Sequence, residues 1–246
     1  MTDSETTRGI RLNKYLSDSG VASRRASDAI IQSGRVTVNN IIELHPARRI
    51  MDGDQVCVDG IPVGIDDPPK LWVYYKPIGE ICTYHDPEGR PTVFDALPPS
   101  LGKVISVGRL DVSSEGVLLL TNRGDIARHL EHPDQAFSRT YRVRIRGVMS
   151  DRTLHTIRTG VSIDGMHYRA ADIEHEQSRA GGSNSWVRIT LHEGKNREIR
   201  RICEYFGHSV SRLIRIAYAD IDLADMHPGE IRDVSDTLPR LLAKKS

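Results

Sequence analysis

The longest unbroken apolar run in the chain, Leu71 to Tyr75, is five residues long. A membrane helix needs about 20 apolar residues in a row. A spanning helix is therefore excluded, and the core must come from short elements separated by turns. With 246 residues, 38% hydrophobic and 27% charged, the chain can bury a core in one large domain or two smaller ones. Its first ten residues, MTDSETTRGI, lack the apolar stretch of a secretion signal. Cys57, Cys82 and Cys203 lie far apart, which excludes a disulfide scaffold and a CxxC zinc knuckle. The expectation is a cytoplasmic protein with reduced thiols.

The formal net charge is +1, but the charges are unevenly placed. From Arg8 to Ile50 there are eight basic residues against three acids, whereas Met51 to Pro69 holds five aspartates and no base. Arg139, Arg142, Arg144 and Arg146 crowd one short segment, and Arg188 to Arg215 holds seven bases against three acids. A single patch of this kind is as well explained by a solvated face. Three patches, nearly all arginine, favour a polyanion, because planar guanidinium matches phosphate and base edges.

The spacing of Leu12, Tyr15 and Leu16 predicts a helix that ends at Asp18-Ser19-Gly20. Ser23 reads as the N-cap of a second helix, Arg24 to Ser33, with Ala26, Ala29 and Ile30 inward and Gly34 beyond its end. Val36 and Val38 predict a strand, Asn39-Asn40 a turn, and Ile50 to Val58 a further strand. Arg11, Lys14, Arg24, Arg25 and Arg35 can share one surface. The run RLNKYLSDSGVASRRASDAIIQSGRVTVNN resembles the S4 RNA-binding module. That resemblance implies structured RNA bound through the basic helical face.

We expect an S4-like domain over 8–65, a stiff Pro-containing linker over 66–70 and a second domain over 71–240, followed by a basic tail over 241–246. The second domain reads as α+β, with a mixed, mainly antiparallel sheet and flanking helices. Leu71–Tyr75, Val104–Val107 and Val117–Leu120 are strands, the last buried on both faces. In Thr140–Arg146, Tyr141, Val143 and Ile145 face inward while Arg142, Arg144 and Arg146 face out. Asn196 is expected to cap a helix whose inward residues are Ile199, Ile202 and Phe206. Arg200 lies on its flank, and Cys203 is a packing residue.

No GxxxxGK[ST], GxGxxG or GxSxG occurs, and the ten histidines form no HExxH. No metal or cofactor is expected. The remaining chemistry lies in the glycine-bracketed loop from Gly108 to Gly116, with Arg109, Asp111 and Glu115. An aspartate in a tight turn commonly bonds its own backbone, so the pattern alone leaves Asp111 open between turn residue and catalyst. Paired carboxylates also suit a glycosidase, although the basic patches do not fit a neutral sugar. Tyr141 reads equally as a core tyrosine. Arg142, Arg144 and Arg146 also fit the solvent face of an edge strand, where positive charge deters aggregation.

The stretch GRLDVSSEGVLLLTNRGD, Gly108 to Asp125, resembles the signature of the RsuA family of pseudouridine synthases. YYKPIGEICTYHDPEGRPTVFDALP, SRTYRVRIRG and LHEGKNREIRRICEYFGHSVSRLIRIAYADI follow in the family's order. The DPEGRPTVFD segment and the LIRI ending are most similar to the branch acting on the large ribosomal subunit. The resemblance implies a catalytic Asp111, with Arg109, Tyr141 and Arg200 in the active site and Ile199 as an apolar wall. It implies no cofactor, and large-subunit (23S) ribosomal RNA as partner. Arg142, Arg144, Arg146, Lys195 and Arg197 join the S4-like arginines as RNA-binding candidates. A small-subunit or tRNA synthase and a non-catalytic ribosome-assembly protein are the alternatives. We expect a monomer.

Overall fold

The structure, a computed structural model, describes residues 9–64, 68–176 and 183–243. It divides into two units, Met1–Pro69 and Lys70–Ser246. The linker residues Ile65, Asp66 and Asp67 and the tail residues Lys244 to Ser246 lie outside the described residues.

In the first unit a short strand β1 (Ile10–Arg11) leads into helices α1 (Leu12–Asp18) and α2 (Arg24–Gln32). Strands β2 (Val36–Val38), β3 (Ile41–Ile42), β4 (Arg49–Ile50), β5 (Val56–Val58) and β6 (Ile61–Val63) follow. β1 pairs with β4, and a four-stranded antiparallel sheet runs β3-β2-β5-β6. Ser23 caps α2 by accepting from the Ala26 amide at 3.2 Å, which satisfies one orphan donor of the first turn. Gly34 takes φ +76° just past the helix. Asn39 and Asn40 have φ of 52° and 66°, the two-residue turn that matches strand twist, and it sets the Val38–Ile41 register.

Ala26 and Ala29, expected inward, are exposed; the buried stripe of α2 is Ser27 and Ile31, with Ile30 partly buried beside them. The strand expected over Ile50–Val58 is two strands, because Asp54 accepts from the Met51 amide at 2.8 Å and folds the Asp52-Gly53 turn out of the ladder. Leu12, Leu16, Ile31, Val36, Val38, Ile50 and Val56 form the small core.

The second unit opens with β7 (Leu71–Lys76), β8 (Ile105–Val107), β9 (Glu115–Thr121), α3 (Gly124–Glu131) and β10 (Arg139–Arg146). Next come α4 (Asp151–Thr159), β11 (Val161–Ile163), β12 (Met166–Tyr168), β13 (Asp172–His175) and β14 (Asn184–Leu191). It ends with α5 (Glu198–Tyr205), β15 (Val210–Tyr218), β16 (Ile221–Asp222), β17 (Ile231–Asp233) and α6 (Leu238–Ala243). Its main sheet runs β13-β14-β10-β15-β9-β7-β17, with β8 on β9 and β16 on β15. All named pairs are antiparallel except β15–β9. Lys70 already belongs to this unit: its amide donates to the Asn122 side chain at 2.8 Å. The expected tail likewise starts inside α6, where Leu241 is buried.

β9 is buried along its whole length. Val117 and Leu119 pack against α3 and α6, while Leu118 and Leu120 join Trp72, Tyr74 and Leu110 on the other face. Val143, Ile145, Val187 and Ile189 form a third cluster with Ile199, Ile202 and Cys203 of α5. Burial pushes the Cys203 thiol up to about 12, as befits a packing residue. Tyr141 packs against both this cluster and the Leu110 cluster, so it stands where the two halves of the sheet meet.

Candidate active site

The Gly108–Ser114 loop is held at several points. The Gly108 amide donates to Glu131 at 2.6 Å, and the Gly79 amide to the Val112 carbonyl at 2.8 Å. Leu110 is clamped by Cys82, whose sulfur accepts from its amide at 3.4 Å and donates to its carbonyl at 3.5 Å. The Ser114 amide donates to the Asp111 carbonyl at 2.9 Å, which closes a turn through the Asp111 backbone. The Asp111 side chain is 36% exposed, reachable yet lodged against protein.

Two arginines from the start of α5 meet this loop. Arg197 Nη1 lies 3.8 Å from Asp111 Oδ2. Arg200 donates from Nη2 to the Ser113 carbonyl at 3.0 Å and from Nη1 to the Val210 carbonyl at 3.3 Å. Burial and the charge of Arg197 lower the Arg200 pKa, while the charge of Asp111 opposes them. The structure thus brings Arg200 to the Asp111 loop, but through the Ser113 carbonyl and not through a direct ion pair with the Asp111 carboxylate. Arg200 braces the loop through carbonyls, and Arg197, counted with the RNA-binding residues, is the cation nearest the carboxylate. Arg197 rather than Asn196 is also the N-cap of α5, in a left-handed conformation with φ 51°.

Tyr141 is half-buried and sits across the ladder from Arg215 and Ile189. It packs against the cluster that includes Leu110, one residue before Asp111. Arg109 is exposed beside the loop. Its charge is felt at Cys82.

Sequence reasoning missed two buried cations next to the loop, Lys76 and Arg215, and gave Glu115 a different role. Lys76 is fully buried, and its ammonium donates to the Pro77 and Ser114 carbonyls at 2.9 Å each. Burial lowers its pKa; Cys82, Glu80, Asp111 and Glu115 oppose the shift. Glu115 is 3% exposed and pairs with Arg212 at 2.6 Å. That pairing removes Glu115 as a partner carboxylate for Asp111 and overturns the glycosidase alternative. Arg215, also buried, donates from Nε to the Val117 carbonyl at 2.6 Å, and its Nη2 is buried without a partner. The one signal in the sequence was a lysine closing the apolar run LWVYYK.

Several RNA-binding candidates are engaged within the protein. Lys14 pairs with Asp18, Arg35 with Asp59 at 2.5 Å, and Lys195 with Glu193. Arg142 pairs with Glu176 at 2.5 Å and stacks over Trp186 at 4.3 Å. It lines a depression with Glu174, Glu176 and Arg188, whose mixed charges satisfy one another. Arg142, Arg144 and Arg146 point away from Tyr141, because neighbouring strand residues alternate. Arg11, Arg24, Arg25, Arg144 and Arg146 are exposed and make no ion pair among the described residues.

Among the described residues no cluster of three or more His, Cys, Asp or Glu side chains has a geometry suited to a metal ion. Nor is any helix there long and apolar enough to cross a membrane. The arrangement presents one part-exposed carboxylate with a guanidinium group 3.8 Å away and a second guanidinium bonded to the same loop. It suits a polyanion with a flat base.

Known proteins resemble the chain in sequence and in fold. Residues 70–205 match the model of a family described as RNA pseudouridylate synthase, and residues 10–56 match the S4 domain. The chain is 44% identical over 228 residues to a Rickettsia felis protein named an uncharacterized RNA pseudouridine synthase, covering 93% of this chain and 98% of that one. It is 42% identical over 219 residues to ribosomal large subunit pseudouridine synthase B of Escherichia coli, covering 87% and 75%. A crystal structure of a pseudouridylate synthase shares the fold with a TM-score of 0.66, at 22% identity over 96% of this chain and all of that one.

Proposed function

Because the chain belongs to the RNA pseudouridylate synthase family, with an S4 domain ahead of the catalytic domain, we propose that it isomerises a uridine of large-subunit (23S) ribosomal RNA, with Asp111 as the reacting carboxylate. The observation carrying the substrate is the 40–42% identity to proteins of Yersinia pestis and Escherichia coli named ribosomal large subunit pseudouridine synthase B.

The reaction breaks the N1–C1′ bond, turns the uracil and joins C5 to C1′. The C5 proton leaves and N1 gains one, so atoms balance without a co-reactant. The target base first leaves its stack, at a cost of a few kcal/mol. Tyr141 then gives the uracil an apolar face. Asp111 attacks C1′ or takes the ribose C2′ proton, and both roles need its ionised form. Arg197 stands 3.8 Å from that carboxylate. Lys76 and Arg200 hold the Ser113–Ser114 carbonyls, which fixes where the carboxylate stands. Arg109, at the rim, faces the phosphates of the flipped nucleotide.

Mapping pseudouridines in ribosomal RNA from cells with and without this protein tests the substrate. One modified position should disappear from the large subunit. A loss confined to small-subunit RNA or tRNA moves the substrate, and no loss at all favours a ribosome-assembly role.

The S4 unit supplies sequence-independent affinity through exposed cations such as Arg24 and Arg25. Replacing both by Ala should flatten log affinity against log salt by about one unit per lost phosphate contact. An unchanged slope in a filter-binding titration removes them from the RNA surface.

A further inference from the structure

Glu198, the first residue of α5, lies between the two arginines of the site and is itself buried, with 3% exposure. One carboxyl oxygen accepts from the Lys195 amide at 3.0 Å, and the other is buried with no donor to accept from. Its carboxyl lies within hydrogen-bonding reach of the Glu193 carboxyl. Glu193 is already supplied: it accepts from the Arg169 amide at 2.8 Å and pairs with the Lys195 ammonium. Two ionised carboxylates in contact repel, whereas one proton between them makes a strong charge-assisted bond.

We infer that Glu198 carries a proton donated to Glu193, and that this carboxyl–carboxylate bond is the positioning element that holds the 193–197 turn, and with it Arg197 and Arg200, against the Asp111 loop. The inference rests on reading the Asp111 cleft as the reacting centre. The surroundings of the pair identify the carrier: Glu193 has the Lys195 ammonium and the Arg169 amide, whereas Glu198 is buried with one oxygen unmatched. Burial, followed by contact with Glu193, pushes Glu198 up to about 7. The Lys195 ammonium and the Arg169 amide outweigh burial and hold Glu193 below the usual carboxylate range. The charged and titratable groups facing Glu198 are Glu193 and Lys195; beyond them stand Arg169, 3.9 Å from Glu193, and Tyr168, whose ring lies 5.6 Å from the Lys195 ammonium. Protonated Glu198 gives its orphan oxygen a partner. Loss of the proton sets two negative charges against each other at the base of Arg197, whose left-handed backbone needs its surroundings intact.

Glu198→Gln keeps a neutral donor of the same shape, and Glu198→Ala removes it. Melting temperature against pH reads the proton without reference to activity. The folded pKa lies above the unfolded value of 4.5, so the stability due to the proton is complete below that value and is lost as pH rises toward about 7. Glu198→Gln has no such proton to lose. Its melting temperature should climb relative to wild type across that window and level off above it.

Single-turnover rates on a transcript of large-subunit ribosomal RNA read the positioning. The Glu198→Gln to wild-type ratio should rise at least about threefold from mildly acid to alkaline pH, with unchanged RNA affinity. Glu198→Ala should lose about tenfold in rate and little in affinity. A melting difference independent of pH overturns the shared proton. A flat rate ratio overturns the positioning role while Asp111→Asn is inactive. An active Asp111→Asn overturns the reading of the cleft instead, and the melting arm still judges the proton.

Discussion

Asp111→Asn should abolish pseudouridine formation, by on the order of 10⁴-fold or more in single-turnover rate, while RNA affinity stays within about twofold. The substitution keeps the shape and the turn, because Asp111 contributes to that turn through its backbone carbonyl. It removes the nucleophilic or basic oxygen and the charge facing Arg197. The side chain is 36% exposed, so the unpaired guanidinium is free to turn to water and the fold should lose less than about 1 kcal/mol. A 10⁴-fold loss corresponds to about 5.4 kcal/mol of transition-state stabilisation. That is far more than one exposed ion pair supplies, so the size of the effect separates chemistry from electrostatic positioning. Release of the C5 hydrogen from labelled RNA gives the rate, and filter binding gives the affinity. More than about one per cent of residual rate would sink Asp111 as the reacting group.

How much of this was legible beforehand depends on the range of the interaction. Ser23, Gly34 and Asn39-Asn40 declare themselves because caps and tight turns are settled within a few residues. The alternation of Tyr141, Val143 and Ile145 against three arginines declares a strand for the same reason. The stripe of α2 was misplaced because Ser27 is buried where two alanines looked more apolar. The site divides along the same line. The glycine-bracketed loop offered Asp111 as a candidate, but its role, and those of Tyr141 and Arg200, came from a family resemblance. Lys76 and Arg215 were overlooked because each is charged on a strand that otherwise reads as core, and Glu115 was read as a loop carboxylate although it opens the buried strand β9. Their reason for being buried lies far off in sequence: Arg212 answers Glu115 from 97 residues away, and the Ser114 carbonyl answers Lys76 from 38. Which arginine stands beside Asp111 depends on how α5 begins, and α5 begins at a left-handed Arg197 that no capping rule anticipates.

Those buried charges cluster at the crossing of β9 with β15, and Gly116→Ala should show how little slack that crossing has. Gly116 has φ +107°, a conformation that L side chains rarely adopt. A Cβ there would meet the Arg215 carbonyl oxygen at 2.2 Å, and two further Arg215 backbone atoms at 2.9 Å. All three contacts are backbone, so no rotamer change relieves them. The strands would have to part, and their parallel ladder is recorded at only two registers, Ile214–Glu115 and Arg215–Gly116. Parting them also pulls Glu115 from Arg212 and opens the floor beneath Asp111. Backbone strain plus an unrelieved clash belongs with the exceptional substitutions that cost at least about 4 kcal/mol. A loss of that size is a large share of the roughly 5–15 kcal/mol that holds a domain together. Gly108→Ala is the matched comparison: φ is +68° and no atom lies within 4 Å of the new Cβ. It should cost only the left-handed backbone penalty of about 1–2 kcal/mol. Urea midpoints of the two variants should therefore differ widely, with Gly116→Ala unfolded or nearly so in dilute buffer. If both variants shifted alike, the close approach of β9 to β15 would not be what confines residue 116 to glycine.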